Sequence, residues 1–143
     1  MLSTPISEVM RKKLLTAPGD TSVSKAAKLM ARRKVGAILV VDDEQLVGIF
    51  TERDALYRVV ARGKNPDTTP LADVMTPDPK TVDPGKSFGY ALLTMHEGGF
   101  RHLPVMEGGK LVGIVSARNA LDPALEEFAF EASRRRQILR ERE

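Results

Sequence analysis

Apolar residues along the chain follow one pattern that occurs twice. A stripe of apolar residues at positions i, i+3, i+4 and i+7 runs from Val23 to Met30 and again from Phe88 to Met95, which predicts two amphipathic helices. Two short continuous apolar runs follow each stripe, and they cover residues 37–41, 46–50, 102–106 and 111–115. Continuous runs of this length predict strands that are covered on both faces. The chain is therefore expected to contain two units, each with a helix and a strand pair.

The two units are copies of one sequence. Residues 47–54, VGIFTERD, return as residues 112–119, VGIVSARN, and the offset from Gly48 to Gly113 is 65 residues. The same offset carries Val9-Met10 onto Val74-Met75 without a gap. Because about sixty residues bury too little surface to be stable alone, we expect the copies to pack face to face about a pseudo-twofold axis. Such packing creates two related clefts between the copies.

Each copy is predicted to fold as β-α-β-β-α. A brief apolar piece precedes each helix, at 14–16 and 80–82, and helical sequence follows each strand pair, at 52–62 and 117–121. The predicted fold class is therefore α+β, a mixed α/β fold, with a further helix at the C-terminus. The predicted boundaries are 1–62 for the first repeat, 63–69 for a Pro/Gly linker, 70–121 for the second repeat and 122–143 for the final helix.

Composition limits the classes of function that the chain can have. The 143 residues carry a net charge of +3 and no cysteine, which excludes disulfides and thiolate chemistry. No apolar run approaches the roughly eighteen residues of a membrane span, and the first residues do not read as a secretory signal, so a cytoplasmic location is expected. Basic residues within 25–34 and at 134–136 lack interleaved aromatic residues, and they favour solvated helix faces over a nucleic-acid site.

The sequence predicts neither an enzyme nor a metal site. His96 and His102 are the two histidines, and their spacing across a Gly-Gly pair does not suit metal ligands on a helix or a strand. The chain has no P-loop and no dinucleotide-binding glycine motif. A serine without a suitably placed histidine is not a nucleophile, so no catalytic residue is predicted.

The segment 48–54 has two interpretations from its residues alone. Thr51 lies where a strand meets a helix, and a hydroxyl with backbone N–H groups at a helix N-terminus can bind an anion, while Asp54 can accept the two hydroxyls of a ribose. Alternatively, Thr51 only caps the helix and Asp54 only interacts favourably with the helix dipole.

The paired motifs resemble the tandem cystathionine-beta-synthase (CBS) domain pair. Over residues 5–121 each copy has Val-Met near its start and Gly-hydrophobic-x-Thr/Ser-x-x-Asp/Asn near its end. The resemblance implies a non-enzymatic regulatory module that binds an adenosine-containing ligand between the repeats, with AMP, ADP or ATP preferred and NAD as the alternative. It also implies that Asp54 with Thr51, and Asn119 with Ser116, hold ribose.

The copies differ at the position that the resemblance assigns to phosphate. The second copy has Arg101-His102-Leu103-Pro104-Val105 where the first has Gly36-Ala37-Ile38-Leu39-Val40. A guanidinium beside an imidazole suits phosphate, so one cleft is expected to be complete. Its predicted residues are Thr51, Asp54, Lys80, Thr81, Phe100, Arg101, His102, Pro104 and Arg118. The other cleft is expected to be poorer in charge, with Arg53 as its only cation, and its predicted residues are Leu15, Thr16, Val35, Gly36, Ala37, Ser116 and Asn119.

The predicted protein is thus a cytoplasmic sensor of adenine nucleotides that forms a homodimer and acts on an unidentified protein. Leu125 and Phe128 lie on the apolar face of the final helix, which is expected to pack across the dimer, with folding back onto the module of its own chain as the alternative. The alternative is an interaction module with vestigial clefts, whose basic terminal helix binds a partner protein or nucleic acid.

Overall fold

The computed structural model describes the backbone of residues 1–142 and the side chains of 1–119 and 130–141. The first copy contains helix α1 (Ile6–Val9), strand β1 (Thr16–Ala17), helix α2 (Val23–Arg33), strands β2 (Ala37–Asp42) and β3 (Gln45–Thr51), and helix α3 (Glu52–Asp54), which continues as a π-helix (Ala55–Val60). The second copy contains α4 (Leu71–Val74), β4 (Thr76–Pro77), α5 (Phe88–Gly98), β5 (His102–Glu107), β6 (Lys110–Ser116) and a 3₁₀-helix (Ala117–Ala120). Helix α6 (Leu121–Arg142) follows, and the predicted mixed α/β fold with a C-terminal helix is confirmed.

Matching serine caps begin the two long helices of the repeats. Ser22 accepts a hydrogen bond from the Lys25 N–H at 3.1 Å, and Ser87 accepts one from the Tyr90 N–H at 3.1 Å. Such caps satisfy backbone donors that the first helical turn leaves free. Three of the four stripe residues of each helix are buried in a core, as the spacing predicted. Ala27 is exposed, so the buried face of the first helix is narrower than predicted, and Leu92 of the second is partly buried.

Each strand pair is an antiparallel hairpin within its own repeat. β2 pairs with β3, and β5 pairs with β6. β1 joins β2 of the same copy, and β4 of the second copy joins β3 of the first, which gives a sheet of order β1-β2-β3-β4. The equivalent pairings of the second copy are single bridges, between Val82 and Val105 and between Arg11 and Ile114. The apolar pieces predicted before the two helices, at 14–16 and 80–82, therefore form only a two-residue strand and a single bridge.

The opening helix of each copy packs into the core of the other copy. Ile6 is fully buried in the cluster that includes Phe88, and Leu71 is fully buried in the cluster that includes Phe50. The backbone joins the same elements, because the Ile6 N–H donates to the Lys86 carbonyl and the Leu71 N–H donates to the Thr21 carbonyl, both at 2.8 Å. Each repeat is thus completed by its partner.

This exchange explains why Val-Met and Gly recur together in both copies. Met75 from the second copy lies directly against Gly48, and Met10 from the first copy lies directly against Gly113. A Cβ atom at either glycine would overlap the methionine side chain. The Val-Met motif of each copy therefore contacts the glycine motif of the other copy.

A separate apolar cluster joins the two repeats across their shared face. Ala37, Leu39 and Ile49 are buried in it, and partly buried residues of both copies pack against them: Leu14, Leu46, Leu111 and Ile114. The repeats therefore meet through their sheets, as the duplication predicted.

Helix α6 begins at Leu121, one residue before the predicted start of the final helix. Leu125 and Phe128, predicted to cover a dimer contact, lie outside the described side chains. Farther along, Phe130 and Leu139 expose 70% and 61% of their surface. Among the described residues, no helix combines the length and the apolar character that crossing a membrane requires.

Candidate functional site

A cleft of about 810 Å³ lies where the two repeats meet. The first copy contributes the end of β3 and the helix that follows, and the second copy contributes residues after α4 and the turn between α5 and β5. The lining residues are Ile49, Thr51, Glu52, Arg53, Asp54, Leu56, Tyr57, Arg58, Thr76, Asp78, Pro79, Lys80, Gly98, Gly99, Phe100, Arg101 and His102.

Thr51 and Asp54 form a reciprocal cap at one wall of the cleft. Asp54 Oδ2 accepts hydrogen bonds from the Thr51 N–H at 2.9 Å and from Thr51 Oγ1 at 3.1 Å. The Asp54 N–H in turn donates to Thr51 Oγ1 at 3.3 Å. Thr51 therefore caps the helix, and the same bonds fix the direction of the Asp54 carboxylate.

Arg58 is a functional candidate that the sequence interpretation missed. Its Nε lies 3.5 Å from Asp54 Oδ1, the oxygen that Thr51 leaves free. Its Nη1 donates to the Met75 carbonyl at 2.9 Å, at the end of α4. Arg58 thus connects the carboxylate of one repeat to the exchanged helix of the other. The spacing of Asp54 and Arg58, an acid and a base one helical turn apart, was the signal that could have found it.

Arg101 and His102 lie on the opposite wall. The Arg101 carbonyl accepts a hydrogen bond from the Ala117 N–H at 3.0 Å, which fixes the start of β5. Burial holds the pKa of His102 below its ordinary value of 6.5; the nearby Glu52 carboxylate opposes this effect and Arg101 adds to it. The imidazole is therefore neutral at neutral pH.

Gly36 lets Glu52 and His102 approach each other. A Cβ at residue 36 would lie 3.0 Å from Glu52 Oε1 and 3.3 Å from His102 Nε2. Glu52 places a carboxylate beside the cationic wall, and the sequence interpretation did not include it. Glu52 is the first residue of α3, where an acid commonly interacts favourably with the helix dipole, so its position alone does not mark it as a site residue.

The structure brings six of the residues predicted for the complete cleft together in this lining: Thr51, Asp54, Lys80, Phe100, Arg101 and His102. Three others do not line it. Thr81 is exposed, Pro104 is fully buried opposite Ile114 in the β5–β6 hairpin, and Arg118 is exposed on the 3₁₀-helix.

Arg53 lines the larger cleft, although the sequence interpretation assigned it to the other one. Its Nη1 donates to the Gly99 carbonyl at 3.4 Å, and its guanidinium lies 5.7 Å from the centre of the Tyr57 ring. The helix that follows β3 turns this side chain toward the second copy, so the prediction was wrong.

A smaller cleft of about 360 Å³ occupies the equivalent place on the other side of the module. It is lined by Arg11, Lys12, Lys13, Leu15, Arg33 and Val35. Leu15 and Val35 were predicted there. The remaining predicted residues, Thr16, Gly36, Ala37, Ser116 and Asn119, are not part of this lining. The expectation that Arg53 is its only cation is also wrong, because four basic residues line this cleft.

Ser116 and Asn119 repeat the geometry of the Thr51–Asp54 cap. Asn119 Oδ1 accepts hydrogen bonds from the Ser116 N–H at 2.6 Å and from Ser116 Oγ at 3.1 Å. An uncharged amide therefore performs the same structural role in the second copy that a carboxylate performs in the first.

Comparison with known proteins finds the same repeat elsewhere. The model of the CBS domain matches residues 6–61 and again residues 71–125. The CBS domain-containing protein CBSX3, mitochondrial, of Arabidopsis thaliana is 33% identical over 144 residues, which cover 92% of this chain and 70% of that protein. The CBS domain-containing protein CBSCBSPB1 of the same plant is 36% identical over 121 residues, which cover 84% of this chain and 22% of that protein. The chain thus spans about a fifth of the CBSCBSPB proteins that it matches.

Solved structures share the whole two-repeat arrangement. An uncharacterized conserved protein from Pyrococcus horikoshii is 34% identical with a TM-score of 0.81, over 87% of this chain and 94% of that one. The CBS domain pair of protein MJ0100, solved with 5'-methylthioadenosine and S-adenosyl-L-methionine, is 22% identical with a TM-score of 0.77, over 87% of this chain and 98% of that one. At this identity the likeness to MJ0100 concerns the fold.

Proposed function

Because the chain belongs to the CBS-domain family and carries two CBS domains in tandem, we propose that it is a non-enzymatic regulatory module that binds an adenine nucleotide in the larger cleft. AMP, ADP or ATP is the proposed ligand, with NAD as the alternative. The observation that carries this proposal is the meeting of two unlike walls in one cleft. Asp54 lies on a wall from the first repeat, and Arg101 and His102 lie on a wall from the second.

The carboxylate wall suits a ribose. Two bonds from Thr51 orient Asp54, and its Oδ1 is shared with the partly exposed Arg58 at 3.5 Å. A diol can replace Arg58 there, because a long contact with a partly exposed guanidinium is worth little. Hydrogen bonds from two hydroxyls to a charged acceptor are stronger than bonds between neutral groups.

The opposite wall suits phosphate, and apolar groups between the walls suit a base. Arg101 supplies a planar set of donors that matches phosphate oxygens, and His102 lies beside it. Ile49, Pro79 and Phe100 offer apolar surface in the same lining. The volume of about 810 Å³ falls in the range of roughly 300–1,000 Å³ that is typical of small-molecule sites.

The proposed mechanism of regulation is a ligand-linked change in the arrangement of the repeats. A nucleotide that contacts both walls favours arrangements in which the walls are close, and it shifts the population presented to a partner. Arg58 couples the ligand to the arrangement of the repeats, because it contacts both the Asp54 carboxylate, proposed to bind ribose, and the Met75 carbonyl at the end of α4.

We also propose that the module forms a homodimer through α6. Phe130, Ile138 and Leu139 are large apolar residues on this helix, with 70%, 41% and 61% of their surface exposed. Exposed apolar residues clustered on one element favour contact with a partner.

A thermal-shift screen tests the proposed ligand class. Saturating AMP or ATP at about 100 times the dissociation constant should stabilise the protein by roughly 2.7 kcal/mol. S-adenosylmethionine should stabilise it much less, because its sulfonium adds a cation to a wall that already holds Arg101. Equal stabilisation by all three compounds, or by none, would reject the phosphate assignment.

A further inference from the structure

The smaller cleft has a charge pattern that the larger cleft lacks. Four of its six described lining residues are cations, namely Arg11, Lys12, Lys13 and Arg33. None of those six is a carboxylate. The described lining of the larger cleft, in contrast, includes three acids, Glu52, Asp54 and Asp78, beside its cations. The two clefts therefore differ most in their net charge.

This difference arises at matched positions of the two copies. At the offset of 65 residues, Arg11 corresponds to Thr76 and Lys13 corresponds to Asp78. The backbone is the same at both places, since Arg11 bridges to Ile114 as Thr76 bridges to Ile49. The cations are thus a property of one cleft and not of the repeat that both clefts share.

The basic segment is held in place by the other copy. The Arg11 N–H donates to the Ile114 carbonyl at 2.8 Å, and the Ile114 N–H donates to the Arg11 carbonyl at 3.0 Å. Arg33 approaches from a different element, the last turn of α2. Cations from two fixed elements therefore converge, which lowers the ordering cost of holding a multiply charged anion between them.

The rest of the described lining does not suit a nucleoside. Leu15 and Val35 complete it, and none of its six residues offers an aromatic ring for a base or a carboxylate for a ribose. A volume of about 360 Å³ suits a compact anion and not a nucleic-acid strand. We propose that the smaller cleft binds a short chain of phosphoryl groups, an oligophosphate, through Arg11, Lys13 and Arg33, without recognising adenine or ribose.

Such a chain can come from a free inorganic oligophosphate or from the tail of a nucleoside triphosphate. The shared chemistry is several adjacent phosphate groups, each of which can accept hydrogen bonds from guanidinium and ammonium groups. Calorimetric titration of the full chain with tripolyphosphate, ATP and adenosine separates the two sources. Tripolyphosphate should bind in either case, adenosine should not bind at this cleft, and ATP should bind there when the tail of a nucleotide can enter.

Two double variants with the same loss of charge test the location. R11Q/K13Q removes two cations of the cleft, and K25Q/K28Q removes two exposed lysines from α2 outside it. The first variant should weaken tripolyphosphate binding about tenfold or more, and the second should change it less than about twofold. R11Q/K13Q should leave AMP binding in the larger cleft unchanged, because the two linings share no residue, so failure of this proposal is separate from failure of nucleotide binding in the larger cleft.

Three results would overturn the proposal. Absence of tripolyphosphate binding to the unmodified chain would do so directly. Equal weakening in both double variants would mean diffuse attraction to a basic surface. Displacement of tripolyphosphate by an equal charge concentration of a short oligonucleotide would assign the basic residues to nucleic acid instead.

Discussion

Replacing Asp54 with asparagine should separate the two roles of this residue, because the protein contains its own reference for the change. In the second copy Asn119 already makes the bonds to Ser116 that Asp54 makes to Thr51. Asp54→Asn should therefore keep the cap, and it loses mainly the contact with the partly exposed Arg58. We expect the free energy of unfolding to fall by less than about 1 kcal/mol.

Asp54→Ala removes the carboxylate half of the reciprocal cap as well as the charge, while Thr51 Oγ1 can still accept from the backbone N–H of residue 54. A hydrogen bond contributes about 0.5–1.5 kcal/mol, so this variant should be less stable than Asp54→Asn by about that amount. Urea denaturation followed by circular dichroism measures both changes. If both variants lose the same free energy, the cap does not contribute as the geometry indicates.

The same two variants should bind nucleotide differently from the unmodified chain. Hydrogen bonds to a charged group contribute about 1.5–3 kcal/mol, so Asp54→Ala should weaken AMP and ATP binding roughly 10- to 100-fold in calorimetric titration. Asp54→Asn keeps a neutral acceptor and should fall between that variant and the unmodified chain. The matched control is Asn119→Ala, which removes the equivalent side-chain bonds to Ser116 and should weaken binding less than about tenfold. Tight binding that survives in Asp54→Ala and disappears in Asn119→Ala would refute the assignment of the cleft.

Three further predictions follow from packing, titration and assembly. Gly48→Ala places a Cβ against Met75 and should lower the free energy of unfolding by about 1–3 kcal/mol in urea denaturation; an unchanged midpoint would contradict the contact. Burial lowers the pKa of His102 below 6.5 in the folded protein, so the unfolded chain binds a proton there more readily. The free energy of unfolding should therefore decrease as the pH falls from about 6.5 toward the lowered pKa. His102→Gln should remove that part of the slope between about pH 7.5 and 5.5, and an unaltered slope would exclude the residue. F130S/L139S should convert the proposed dimer into a monomer in size-exclusion chromatography with light scattering, whereas an unaltered dimer would exclude this part of α6 as its contact.

The repeat made most of the fold readable from the sequence. The two amphipathic helices and the strand pairs depend on local patterns, and they occur where they were predicted. The exchange of α1 and α4 depends instead on contacts between residues far apart in the chain, such as Ile6 with the core around Phe88. A short apolar segment carries no mark of which of two similar cores it will enter, so the pattern could not predict the exchange.

The same limit explains which site residues were missed. Thr51 and Asp54 lie in the recurring motif. Arg101 and His102 were found because the copies differ there, at the position that the resemblance assigns to phosphate. The segment Arg11–Lys13 follows an exchanged helix, and only the exchange places it against β6 of the second copy. The basic charge of this segment is evident from the sequence, but the cleft that it lines depends on the exchange and could not be predicted from local patterns.

Because the opening helices are exchanged, a single repeat cannot complete its own hydrophobic core. In one copy alone, the part of the core that the other copy's Ile6 or Leu71 covers would be exposed to solvent. The opening helix of that copy would also expose its own apolar residue, because the core into which it packs would be missing. A one-repeat chain would therefore gain stability by pairing with a second, identical chain, and the two clefts of that pair would be identical by symmetry. Joining the repeats in one chain removes the constraint, since a substitution then alters one cleft and spares the other. At matched positions of the two copies, Arg101 corresponds to Gly36 and Asp78 corresponds to Lys13. A symmetric pair of identical chains could not contain such differences.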